Sequence, residues 1–175
     1  MQFELQQALP ILERTPQVVE TLLYGLDDEW ISSNEGGDTW SPFDIVAHLI
    51  YGEKTDWIPR VQLLLGEGDK NFVPFDMKGH VKDSRGKKIN QLLDEFKVLR
   101  KDNLLLLNEM NITDEMLDLT GIHPGLGTVT LRHLLAAWVV HDLTHIHQLS
   151  RVMAKQYNEA VGPWKQFMGV LGGKV

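Results

Sequence analysis

The chain has 175 residues, 43% of them hydrophobic and 23% charged, with a formal net charge of −7 and no cysteine. That length and composition fit one soluble globular domain over residues 1–175, large enough to bury a real core. Disulfides, thiolate ligands and a cysteine nucleophile are excluded, and the acidic balance without a Lys/Arg-rich block argues against nucleic acid as a partner.

The first residues lack the basic start and apolar run of a signal peptide, and no stretch approaches the length of a membrane span. The expected location is therefore the cytoplasm, with no membrane partner. Residues 2 to 26 read as a helix in two pieces, with Leu5, Leu9 and Leu12 on one stripe and Val18, Val19, Leu22 and Leu23 continuing it. Pro10 should kink the first piece, and Thr15-Pro16 reads as a restart, with Thr as cap and Pro at the first helical position. Asp27 to Thr39 is polar, contains Gly36-Gly37 and reads as a loop.

A second helix opens at Ser41-Pro42, where Ser41 is a strong N-cap and Asp44 can complete the cap. Phe43, Val46, Ala47, Leu49 and Ile50 give its apolar face, and His48 lies within that face. A lone histidine there is more often a hydrogen-bonded core residue than a ligand. Pro59 should bend or end this helix, and Gly66-Glu67-Gly68 closes the segment. Residues 69 to 84 read as an irregular connection in which His80 faces solvent. A third helix is expected from about Arg85 to Met110, with Ile89, Leu92, Leu93, Phe96, Leu99, Leu106, Leu107 and Met110 inward. Leu104 to Leu107 is more leucine than one neighbour can cover, which suggests contact with a second subunit and hence a homodimer.

Thr113 to Leu117 reads as one capped turn, and Gly121 to Val129 as a loop or short extended passage. His123 there is structural, exposed or at a pocket mouth. Thr130 then caps a long helix to Gln156, whose Leu131, Leu134, Leu135, Trp138, Leu149, Val152 and Met153 form a core-facing stripe. The tail after Gly162-Pro163, with Trp164, Phe167 and Leu171, should pack back on the bundle. These elements add up to an all-α, up-and-down four-helix bundle with short additional helices.

Chemistry concentrates on the last helix. Four residues of helix bring the imidazoles of His141 and His145 to within roughly 40° of each other, one turn apart. Two neutral ring nitrogens at this spacing can bind one divalent ion, although the spacing alone recurs often in ordinary packed histidines. The apolar surroundings favour a metal, since a buried imidazole nitrogen needs a partner. His147 falls roughly 240° round from His141 and reads as a surface residue, and His133 as a polar residue of the first turn. In a bundle, His48 could face the pair, and three imidazoles would leave an open coordination position of the catalytic kind.

Trp40-Ser41-Pro42 with His48-Leu49, followed by Gly127-Thr128-Val129-Thr130-Leu131 and His141-Asp142-Leu143-Thr144-His145-Ile146-His147-Gln148, resembles the DinB-like (DinB/YfiT) superfamily. The likeness covers nearly the whole chain in element order. It implies a four-helix bundle with His48, His141 and His145 as ligands of a divalent ion, usually zinc or nickel. Some relatives are transferases that use a low-molecular-weight thiol such as bacillithiol or mycothiol, and many have no established activity. The resemblance therefore implies a metal site more than a reaction, and the first hypothesis is a metal-dependent enzyme, either a thiol-dependent transferase or a hydrolase, acting on an unidentified small molecule. The alternatives are a non-catalytic, metal-stabilised dimeric bundle and a small-ligand binding protein without metal. Asp44 and Thr144 are candidates to orient the imidazoles, Trp138 to wall the site and Tyr51 to line it, while Asp142 is expected to point outward.

Overall fold

The computed structural model describes residues 1–174. Helix α1 (Leu5–Leu23) is continuous through both Pro10 and Pro16, not the two pieces that its prolines suggested. Proline cannot supply the N–H that its own turn needs, so Pro16 leaves the carbonyl of Leu12, four residues earlier, without a helical donor. That carbonyl is buried, and the guanidinium of Arg100 donates to it from Nη1 at 2.6 Å. A tertiary contact has replaced the missing hydrogen bond, and the helix runs on.

Part of the expected loop is a short helix, α2 (Asp28–Ser32), which buries Ile31. Residues 33–40 then form a tight loop. Asn34 closes it by donating from Nδ2 to the Thr39 carbonyl at 2.9 Å, and Glu35 is held by the Arg151 guanidinium at 2.7 to 3.1 Å. Helix α3 (Pro42–Thr55) starts on the anticipated capping box, in which the Asp44 amide donates to Ser41 Oγ and the Ser41 amide to Asp44 Oδ2. The chain breaks at Asp56 and resumes as α4 (Trp57–Leu65). Pro59 thus falls in a first turn, where its N–H would be unpaired anyway.

Residues 66–88 carry the small helix α5 (Gly79–Asp83) to α6 (Ile89–Glu109). The expected capped turn is present: the Met116 amide donates to Thr113 Oγ1 at 3.4 Å, ahead of a single 3₁₀ turn at Met116–Asp118. The passage before the last helix is an antiparallel hairpin of β1 (Thr120–His123) and β2 (Gly127–Thr130), registered Thr120 to Thr130 and His123 to Gly127. Helix α7 (Leu131–Gln156) starts on Thr130, whose Oγ1 accepts from the His133 amide at 3.1 Å. The tail touches α7 at the turn Gly169–Leu171, while Trp164 and Phe167 stay exposed. Among the described residues no helix is long and apolar enough to cross a membrane.

Helices α1, α3, α6 and α7 make the four-helix bundle, but their order round it is not their order in the chain. The extensive contacts run from α1 to α6, α6 to α3, α3 to α7 and α7 back to α1. Two apolar clusters fill the interior. One gathers Val19, Leu23, Ile45, Ile50, Phe96, Leu149 and Val152; the other gathers Leu12, Trp57, Val61, Leu107, Leu131, Leu135 and Trp138. Along α1 and α7 the chain passes from the second cluster to the first, and along α3 and α6 from the first to the second. Direction therefore alternates between α1 and α3 and between α6 and α7, whereas α3 and α6 run the same way. The 66–88 connection has to return the length of the bundle.

A polar layer lies at the passage from one cluster to the other. Arg100 of α6 is bonded to Glu53 Oε1 of α3 at 2.8 Å and to both carboxylate oxygens of Asp142 of α7 at 2.6 and 3.0 Å. Asn103 donates to Glu53 Oε2 at 2.9 Å and Trp138 Nε1 to Glu53 Oε1 at 3.2 Å. All five side chains are buried. Asp142, expected to point outward, is fully buried because its partner is. Leu106, expected inward, is 41% exposed beside exposed Leu105, since Arg100, Asn103 and Leu107 take the inward stripe of α6.

Removing Arg100 leaves two buried carboxylates and the Leu12 carbonyl without their donor. Arg100→Ala should lower stability by about 3–5 kcal/mol, read as a shift of the urea midpoint, and a loss below ~1 kcal/mol would show that the layer is not holding the bundle.

Candidate metal centre

The three histidines singled out in the sequence converge. His48 sits on the inward face of α3, in the turn after the capping box, and His141 and His145 one turn apart on α7. His48 Nε2 lies 3.0 Å from His141 Nε2, which lies 3.1 Å from His145 Nε2. One nitrogen from each ring falls in a group no wider than 4.8 Å. Two nitrogens each bound about 2.0–2.1 Å from a common ion stand roughly 2.9 Å apart at a right angle and about 3.4 Å apart at the tetrahedral angle. The two close separations match that span.

The chemistry of the donors fits as well. Burial, reinforced by the positive potential of neighbouring His145, lowers the pKa of His48 to about 3 and that of His141 to about 3. Burial also lowers His145, opposed by its bond to Gln148 and by the charge of Asp142. Three neutral imidazoles facing one point present lone pairs, the form that ligates a cation. Gln148 fixes one of them: its Oε1 lies 2.8 Å from His145 Nδ1, which must donate, so the lone pair of that ring is on Nε2.

Neither residue expected to orient the rings does so. Asp44 is taken up by the cap of its own helix, and Thr144 Oγ1 donates to the Val140 carbonyl at 2.7 Å. The other two rings are held by packing. His48 lies 4.7 Å from the Trp40 ring and 5.4 Å from Phe75, and His141 lies 5.1 Å from Trp57, centroid to centroid. Trp138 is one layer back, stacked 5.6 Å behind Trp57. Tyr51 packs edge-on to Phe75 at 5.3 Å, with Gly79 so close that any side chain there would overlap its ring.

His80 corrects a further expectation. It is 2% exposed, not solvent-facing, with its ring 4.9 Å from Trp40 and 5.8 Å from His48. Burial lowers its pKa. The returning 66–88 connection lays Phe75 and α5 across α3, and Lys54 secures it by pairing with Asp83 of α5 at 2.7 Å and Glu95 of α6 at 2.6 Å. Nothing in the polar neighbourhood of His80 signalled this; a crossover over a histidine is invisible without the helix directions.

His133 and His147 are exposed, as their helical angles implied, and His123 is half-buried in the hairpin. The buried partners Arg100, Glu53 and Asn103 were not anticipated. For α6 the signal was present: Leu93, Phe96, Arg100, Asn103 and Leu107 recur at three- and four-residue steps, so two polar residues occupy an otherwise apolar stripe.

Comparison with known proteins agrees with this architecture. No curated protein matches the chain. YfiT from Bacillus subtilis, described as a probable metal-dependent hydrolase with an unusual four-helix bundle topology, is similar with a TM-score of 0.73 at 20% identity, over 87% of this chain and 86% of that one. The four-helix bundle protein TT2238 is similar with a TM-score of 0.60 at 18% identity, over 84% of this chain and 98% of that one. The pattern of the DinB superfamily itself matches residues 11–149. With its bundle, its hairpin and its three converging histidines, the chain belongs to the DinB superfamily.

Proposed function

We propose that the protein is a metal-dependent enzyme in which His48, His141 and His145 hold one divalent ion, zinc or nickel, and that it acts on a small molecule. The observation that carries this reading is the convergence of three Nε2 atoms from two helices, with separations of 3.0 and 3.1 Å between neighbours. Such an ion, when bound, supplies Lewis acidity that polarises an oxygen or sulfur nucleophile or a substrate carbonyl. Three protein ligands leave room for that group, whereas a structural zinc site closes with four. The likeness to YfiT favours a hydrolase over a transferase that uses a low-molecular-weight thiol.

The residues around the trio serve this chemistry. Trp40, Trp57 and Phe75 exclude water from the rings, which strengthens every charge interaction among them. Gln148 holds His145 in the ligating tautomer. A second reading, a non-catalytic bundle that uses the ion for stability and pairs with a second copy, is favoured by the exposed Leu105 and Leu106 on α6.

Elemental analysis of protein purified without added metal should find about one ion per chain, as expected of three neutral imidazoles converging on one point, and none in the His141→Ala/His145→Ala variant. The same negligible content in both would end the metal reading. Chelation that lowers the melting temperature steeply would move the role from catalysis to structure. Gln148→Leu should weaken zinc affinity by about 10- to 100-fold in competition with a chromophoric chelator while leaving the melting temperature nearly unchanged. Unaltered affinity would show that the Gln148 bond does not tune the ligand.

A further inference from the structure

Beside the trio lies a cleft of about 420 Å³ between α4, the hairpin and the first turns of α7. A volume of this size is typical of small-molecule sites. Leu126, Val129, Leu134 and Ala137 give it an apolar wall. Trp57 belongs to both places, lining the cleft and meeting His141 at 5.1 Å. Ala137 is one helical turn before His141, so on α7 the cleft ends one turn short of the trio. Trp57 of α4 is thus a wall of the cleft and a neighbour of the trio.

The polar groups of the cleft have a definite sense. His123 Nδ1 accepts from the Gly125 backbone N–H at 3.1 Å, and His133 Nδ1 accepts from the Thr130 backbone N–H at 3.2 Å. A neutral imidazole whose lone pair is at Nδ1 carries its proton on Nε2. Both rings therefore offer an N–H donor, and burial together with the nearby Arg60 keeps His123 from taking a second proton by lowering its pKa. Arg60 pairs with Asp56 at 2.7 Å and donates to the Val73 carbonyl at 3.3 Å. The Asp56–Arg60 pair brings one charge of each sign to the lining, so the cleft has no net charge from it to favour an anion or a cation.

We propose that this cleft holds the body of the substrate whose reacting group reaches the trio: a neutral molecule with an apolar ring or chain and a carbonyl oxygen that accepts from the His123 and His133 imidazoles. The assignment of that molecule as substrate rests on the metal reading; the cleft's preference for it rests on its own donors and apolar wall.

Calorimetric titration tests it with three probes of one skeleton: 4-phenylbutan-2-one, the cationic 4-phenylbutan-2-amine and the anionic 3-phenylpropanoate. Chelator-treated protein should bind one ketone per chain, and the amine and carboxylate at least about ten-fold more weakly, the cost of one unmade or mismatched polar contact. Ala137→Phe fills the cleft from an exposed position of α7, so it should weaken the ketone by about ten-fold or more with the melting temperature unmoved. His123→Phe with His133→Leu should erase the preference for ketone over amine. No ketone binding at low millimolar concentration, binding indifferent to Ala137→Phe, or amine or carboxylate binding as well as the ketone would each overturn the proposal. Repeating the titration beside a zinc titration separates the two ideas. Zinc bound but no ketone sinks the cleft alone, and ketone bound but no zinc sinks the metal reading and leaves the cleft as a ligand site.

Discussion

Arg100 is the point at which the four main helices are tied together. Rooted on α6, its guanidinium reaches the Leu12 carbonyl of α1, the Glu53 carboxylate of α3 and the Asp142 carboxylate of α7. Burial opposes its charge, yet the two carboxylates outweigh that and raise its pKa above the usual arginine range. Phe96 and Trp138 lie on the guanidinium at 5.1 Å each. A buried ion cluster of this kind is seldom better than a well-packed apolar core for stability alone. What it does impose is register, because apolar faces can slide past one another by a turn and a bidentate pair cannot.

Register is what the candidate site requires. Glu53 lies on α3 with His48, little more than a turn further along, and Asp142 adjoins His141 on α7, so the anchoring carboxylates share their helices with the imidazoles. Holding both carboxylates on one guanidinium fixes how far α3 can move against α7, and with it the separation of His48 from the pair. The same layer divides the core into two apolar clusters, and the trio lies beside the division. A polar site inside a bundle needs such a layer, since an imidazole surrounded only by leucine would lack any favourable field or partner.

Helix direction explains the covering of the site. Because α3 and α6 run the same way, the chain between them has to traverse the bundle, and the traverse passes over His48. Phe75 and His80 ride on that segment and close the centre against solvent, while Lys54 pins the segment to α3 and α6. A bundle with short loops throughout would leave the three histidines open at its side.

The amino-acid sequence by itself determined what local geometry can carry: the capped starts of α3 and α7, the bundle class, the inward pair His141 and His145, and, through resemblance, His48 as their companion. Periodicity and capping depend on neighbours a few residues away, so they are written in the chain directly. Only the tertiary structure decided that α1 passes unbroken through two prolines, that Asp142 turns inward and that His80 is buried. Each of those depends on a partner from a distant segment: the Arg100 donor for Leu12 and Asp142, and the crossover for His80. Long-range pairing is selected by the energy of the whole packed arrangement, and no window of sequence contains it.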